Sequence, residues 1–152
     1  MKKNLLLFIF LLFSLLSCGF EPIYKINNNL KINIEIVNAT GDKELNNFIM
    51  NNLNKRNVVN YNKVLKFELT TSYAKNILLK DASGTTTDFE LKVNAKFLTK
   101  NENNDEIIEI NENFKIKKMD NSFDEEYYER TVKENLSSRI VEKFISNILY
   151  FK

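Results

Sequence analysis

Four stretches of this chain alternate between apolar and polar residues, and each carries its apolar side chains on one face only. Leu30, Ile32, Ile34 and Ile36 alternate with Lys31, Asn33 and Glu35, and Leu65, Phe67, Leu69, Thr71 and Tyr73 with Lys66, Glu68, Thr70 and Ser72. Phe89, Leu91, Val93, Ala95 and Phe97 are interleaved with Glu90, Lys92, Asn94 and Lys96, and Ile108, Ile110, Phe114 and Ile116 mark a fourth segment. Successive side chains of a strand point to opposite faces, so the pattern predicts four half-buried strands. A sheet with one apolar face takes its helices on that face alone.

Two segments have helical spacing instead. Leu45, Phe48, Ile49 and Leu53 fall on one helical face after Asn38-Ala-Thr-Gly-Asp42, which supplies turn and N-cap chemistry. Near the C-terminus Val132, Leu136, Ile140, Phe144 and Ile148 recur every four residues, joined by Tyr128, Ile145 and Leu149. Ser122 with Glu125 reads as a capping box opening this helix, which at about 28 residues is about 40 Å long. A right-handed crossover makes strands one and two parallel if they are neighbours. Turns at Asp81-Ala-Ser-Gly84 and Asn101 to Asp105 make strands two to four an antiparallel meander. The expected fold is an α/β two-layer sandwich: a four-stranded mixed sheet with two helices on one face, in the order strand-helix-strand-strand-strand-helix.

Ahead of this body, Lys2 and Lys3 precede a 12-residue apolar run, Leu5 to Leu16, which ends at Ser17-Cys18-Gly19. A basic start, a short apolar run and small residues at a cleavage site are the parts of an export signal. The run is too short to span a bilayer. The chain's one cysteine directly after Leu15-Leu16-Ser17 matches the lipobox of bacterial lipoproteins. Residues 1–17 then read as the signal peptide, with Cys18 carrying a thioether diacylglycerol and an N-acyl chain such as palmitate. Each buried methylene contributes about 0.8 kcal/mol, so two or three chains anchor stably where one does not. Residues 18–29, with one proline and three consecutive asparagines, read as a lipidated tether, and 30–152 as a single domain. The competing reading, a buried free cysteine in an uncleaved helix, does not explain the basic start.

Composition closes off several classes of function. Without the signal, 135 residues remain, enough for one core. Lys2 and Lys3 leave with it, so the mature chain has 20 basic and 20 acidic residues, a balance that argues against a nucleic-acid partner. The chain has no histidine and its only thiol is assigned to the lipid, which removes disulfides, thiol catalysis and zinc sites. No cofactor is expected beyond the covalent lipid on Cys18. The 24 asparagines read as compositional bias.

The opening Cys18-Gly19-Phe20-Glu21-Pro22-Ile23-Tyr24 resembles the Cys-Gly-Phe-x-Pro-Leu-Tyr start of the LptE family of lipopolysaccharide-assembly lipoproteins, in its shorter alphaproteobacterial form. The order of elements and the Tyr127-Tyr128 pair at the start of the last helix are similar too, whereas Asp88 stands where the family often has an arginine. The resemblance implies an outer-membrane lipoprotein that is not an enzyme. It would plug and help assemble the LptD barrel and assist lipopolysaccharide transport to the cell surface. Gly19 beside the cysteine, in place of aspartate, implies transfer to the outer membrane, on its periplasmic side.

Two clusters are candidates for lipopolysaccharide contact. Lys75 and Lys80 bracket Asn76-Ile77-Leu78-Leu79, a combination suited to phosphorylated sugar over acyl chain, although Ile77 and Leu79 could equally continue strand two into the core. Lys92 and Lys96 lie on the polar face of strand three and could bind phosphate, or be an ordinary solvated face. Two other functions compete. One is an auxiliary lipoprotein of an ABC-type envelope lipid transporter. The other is an envelope hydrolase using paired carboxylates, against which Asp81, Glu102, Asp105, Glu106, Asp124 and Glu125 read as turn or surface charges.

Overall fold

The computed structural model describes residues 33–56, 64–100 and 105–150. The signal peptide, Cys18, the tether, Leu30, Ile32 and Glu102 lie outside the described residues. The elements are β1 (Asn33–Gly41), α1 (Lys43–Asn54), β2 (Val64–Lys80), β3 (Thr86–Lys100), β4 (Asp105–Lys117) and α2 (Ser122–Tyr150). The sheet order is β1-β2-β3-β4, with β1 parallel to β2 and the other two pairs antiparallel. Helix α1 packs on β1 and β2, α2 on β3 and β4, and the helices pack on each other. The two-layer sandwich expected from the one-sided strands is what the chain forms.

The core is the set of residues that the alternation placed inside. Leu69, Leu91, Val93, Ala95 and Phe97 from the sheet meet Leu45, Ile49 and Leu53 of α1 and Leu136, Ile140, Val141, Phe144 and Ile145 of α2. Phe144 lies at the centre, stacked on Phe97 with ring centroids 3.7 Å apart and edge-on to Phe67 at 5.0 Å. Burying a side chain of this size contributes about 1.5–3 kcal/mol.

Three local readings are corrected. Asn38 to Gly41 do not form a turn: β1 continues through them after a bulge between Ile36 and Asn38. The extra residue leaves Val37 exposed and brings Ala39 back to the core. The strand ends at Gly41, whose φ is +97° and where an added Cβ would lie 1.8 Å from the Thr71 carbonyl oxygen. Asp42 is the N-cap as expected, its carboxylate accepting from the Leu45 N–H at 2.8 Å.

At α2 the capping box does not form. Asn121, one residue earlier, accepts the Phe123 N–H on Oδ1 at 2.9 Å and the Glu125 N–H on its carbonyl at 3.1 Å. The Glu125 carboxylate turns away to Met119 and two lysines. The third correction concerns length. The β2–β3 ladder extends beyond the alternating cores to Lys80 and Thr86, because backbone pairing holds this hairpin where the helices no longer cover it. Ile77 and Leu79 are therefore not core residues and are each 56% exposed. Phe114, Tyr128 and Leu149, expected on inner stripes, are exposed for the same lack of cover.

Candidate interaction site

Among the described residues the sheet has one face without helices. Along its middle run short polar side chains: Thr40 and Thr70 share a hydrogen bond at 3.1 Å, and Asn94 donates to Glu109 and Asn111, both at 2.6 Å. Lys92 and Lys96 stand on this face, exposed, where the period-two pattern of β3 puts them. Lys92 is tied to Glu90 at 3.1 Å. Such a face is polar and carries charges of both signs, Glu35, Lys66, Glu90, Lys92, Lys96 and Glu109 among them, suited to a wet wall rather than to a dry apolar partner.

Lys75 projects from the opposite face, under the first turns of α2. Its ammonium donates to Glu125 Oε1 at 2.8 Å and Glu129 Oε2 at 2.9 Å, and it lies 4.4 Å from the centre of the Phe89 ring. Glu125, read from sequence as a surface charge, is buried and also accepts the Met119 N–H at 2.9 Å. The bond from Lys75, then that from Met119, hold its carboxyl at about 2. Burial opposes charge on both Lys75 and Glu129. For the lysine the hydrogen bonds to Glu125 and then Glu129 outweigh it and raise the group above its ordinary value, and for the glutamate the bonds from Lys75 and then Tyr73 outweigh it and lower the group. Tyr73 donates its hydroxyl to Glu129, and burial followed by this bond pushes the phenol well above its usual range. Lys133 sits over the Tyr73 ring at 3.9 Å and reaches Glu44 at 3.1 Å. These groups neutralise one another in place.

Beyond this network the hairpin end is apolar and open. Ile77, Leu79 and Lys80 close β2, and Phe123 and Tyr127, 80% and 76% exposed, stand one turn apart at the start of α2. Of the four lysines singled out by sequence, Lys75 and Lys80 belong to this end, and Lys92 and Lys96 to the other face; the fold does not gather them.

Sequence reasoning passed over Glu112. It occupies the inner phase of β4 between Ile110 and Phe114, its side chain is 3% exposed, and it is paired with Arg139 at 2.8 Å and with Lys143. A charge in an apolar phase, with two cations four residues apart on the facing helix, was a readable signal. Phe123 was readable as well, being an aromatic out of phase with the Val132 to Ile148 row. Among the described residues no group of three or more acidic, histidine or cysteine side chains is placed to hold a metal ion. No described helix is long and apolar enough to cross a membrane.

No family model and no curated protein matches the chain. Solved structures do share its fold. Rare lipoprotein B from Shewanella oneidensis superposes with a TM-score of 0.56 at 15% identity, over 78% of this chain and 97% of that one. A lipoprotein candidate from Caulobacter crescentus CB15 gives 0.50 at 13% identity, over 78% of this chain and 89% of that one. At these identities the likeness establishes a common fold, the strand-helix-meander-helix sandwich described above.

Proposed function

We propose that this chain is an outer-membrane lipoprotein, anchored through Cys18, that plugs and helps assemble an LptD-type barrel and assists lipopolysaccharide transport without catalysing a reaction. The observation that carries the reading is the sandwich fold held in common with rare lipoprotein B over nearly the whole of that chain. The lipobox at Cys18 and the Cys18 to Tyr24 opening, similar to that of the LptE family, support it from a part of the sequence independent of the fold.

The geometry suits such a role. A barrel lumen lined with water favours a compact body with a polar face, and the Thr40 to Asn111 face is of that kind. The open hairpin end, with Ile77, Leu79 and Lys80, offers apolar surface and a cation together, and Phe123 and Tyr127 add exposed aromatic surface at the start of α2. That pairing fits an acylated, phosphorylated sugar, with Lys80, and Lys96 on the sheet, exposed and in reach of phosphate, and with Lys92 able to join them by leaving Glu90. Lys75 would contribute by holding the end in shape, since its charge is already shared between Glu125 and Glu129. The same internal pairing argues against catalysis: the carboxylates of Glu125 and Glu129 are engaged by lysines and a tyrosine, and that of Asp81, also lowered, is held in its own turn by Ser83 and Thr85.

Depletion of the protein tests the reading. The expected result is a misassembled barrel and loss of surface lipopolysaccharide. Normal barrel assembly and normal surface lipopolysaccharide would overturn it in favour of the auxiliary lipoprotein of an envelope lipid transporter.

A further inference from the structure

Among the described residues strand β4 is the last strand of the sheet, and its thirteen residues pair with β3 from Asp105 to Lys117 without a single register shift. It contains no proline or glycine. A long regular edge of this kind presents a row of backbone donors and acceptors to another strand. Its charges are ordered along its length. Asp105, Glu106 and Glu109 occupy the first half, and Lys115, Lys117 and the following Lys118 the second. An antiparallel copy of the same strand reverses this order, bringing each acidic half against a basic half.

We propose that β4 is a self-complementary edge through which two copies of this chain join into an eight-stranded sheet, with a two-fold axis at Glu112. In that register Glu109 faces Lys115 of the second copy, Glu106 faces Lys118, and Asn111 faces Asn113. On the helix side Ile108 meets Ile116, and Ile110 meets Phe114, which at 39% exposure is the largest incompletely covered side chain of that stripe. The two Glu112 carboxylates meet at the axis, each already neutralised by its own Arg139 and Lys143. Of the two neighbouring registers that keep the faces, one would set Glu112 against Ile110 and Glu109 against Asn113, and the other would set Glu112 against Phe114 and lose the Glu106–Lys118 match while keeping Glu109 opposite a lysine, Lys117. The central register alone gives two ion pairs on each side of the axis, which favours it over its neighbours. Lys115, Lys117 and the inward Glu112 are also the devices that protect an edge from indiscriminate pairing, and a second copy of this strand is a partner that satisfies them. The interface is isologous and closes at two copies. This inference concerns the free protein, outside any barrel, and does not depend on the barrel reading.

The test uses the full-length protein in detergent, as an equimolar mixture of isotopically light and heavy copies treated with a carbodiimide, which joins carboxylate to amine. The expected product is a mixed-isotope cross-link between Glu109 and Lys115. Glu109→Lys and Lys115→Glu should each weaken dimerisation about tenfold, because both symmetric pairs turn from attraction to repulsion. Mixing the two variants should restore the dimer, since every pair is again of opposite sign, and a misfolded variant could not be rescued in this way. A wild-type protein that stays monomeric, a cross-link confined to single-isotope species, or variants that dimerise like wild type would overturn the proposal. So would capture of β4 by a strand of a different protein with no self cross-link.

Discussion

Replacing Lys75 by methionine keeps the aliphatic stem against Phe89 and removes only the charge. Glu125 and Glu129, with side chains 8% and 19% exposed, then lose the ammonium they share at 2.8 and 2.9 Å. Lys118, at 3.4 Å from Glu125, and Lys133, whose charge also acts on Glu129, are left beside them. Holding the Glu125 carboxyl at about 2 instead of 4.5 corresponds to about 3 kcal/mol at most; Lys75 supplies the largest part and Met119 and Lys118 the rest, which with water at the open end leaves at most about 2 for Lys75. That is a large share of the roughly 5–15 kcal/mol that hold a domain together. Because the folded pKa is depressed, the contribution is fully present above the unfolded value near 4.5 and is lost as pH falls toward about 2. Urea denaturation at pH 7 should therefore place Lys75→Met about 2 kcal/mol below wild type, and the gap should shrink by roughly half at pH 3. Lys66→Met is the control, since its partner Glu35 is 3.9 Å away and both are exposed, and it should cost under about 1 kcal/mol. Equal stabilities of wild type and Lys75→Met at pH 7, or a gap that does not change with pH, would refute the reasoning.

Ile140→Asp places a charge on a fully buried position of α2 and should unfold the body, while Lys92→Ala on the open sheet face leaves its melting temperature within a degree or two; thermal melts of both check this. Gly41→Ala forces a Cβ to within 1.8 Å of the Thr71 carbonyl at positive φ and should cost about 3 kcal/mol or more, whereas Gly84→Ala, with open space around it, should cost about 1–2, the price of the backbone conformation alone. Mass spectrometry of the mature N-terminus should find Cys18 acylated and residues 1–17 absent.

The fold was legible because its strands are one-sided. Leu91, Val93, Ala95 and Phe97 are all buried and Lys92 and Lys96 are exposed, as alternation requires, and that fixed both helices to one layer. The same rule failed where the sheet outruns its helices. Ile77 and Phe114 keep the inner phase of their strands, yet lie beyond α2 or at the sheet edge, and periodicity carries no information about how far a covering helix reaches. The bulge at Val37 escaped for a different reason: a single inserted residue shifts phase and mimics the end of a strand. Glu125 and Glu129 were read as surface or left aside because ion pairs between distant segments, here Lys75 with α2, depend on tertiary approach. The lysine candidates were chosen by local composition, and the fold separates them onto two faces.

The most direct test of the central claim is affinity purification of the tagged protein from solubilised envelopes, with the co-purifying partner identified and its stoichiometry measured. The account predicts a large outer-membrane barrel of the LptD type held one to one across an interface of about 2,000 Å² or more, stable to washing. Recovery of an inner-membrane permease and its ATPase in place of the barrel would contradict it.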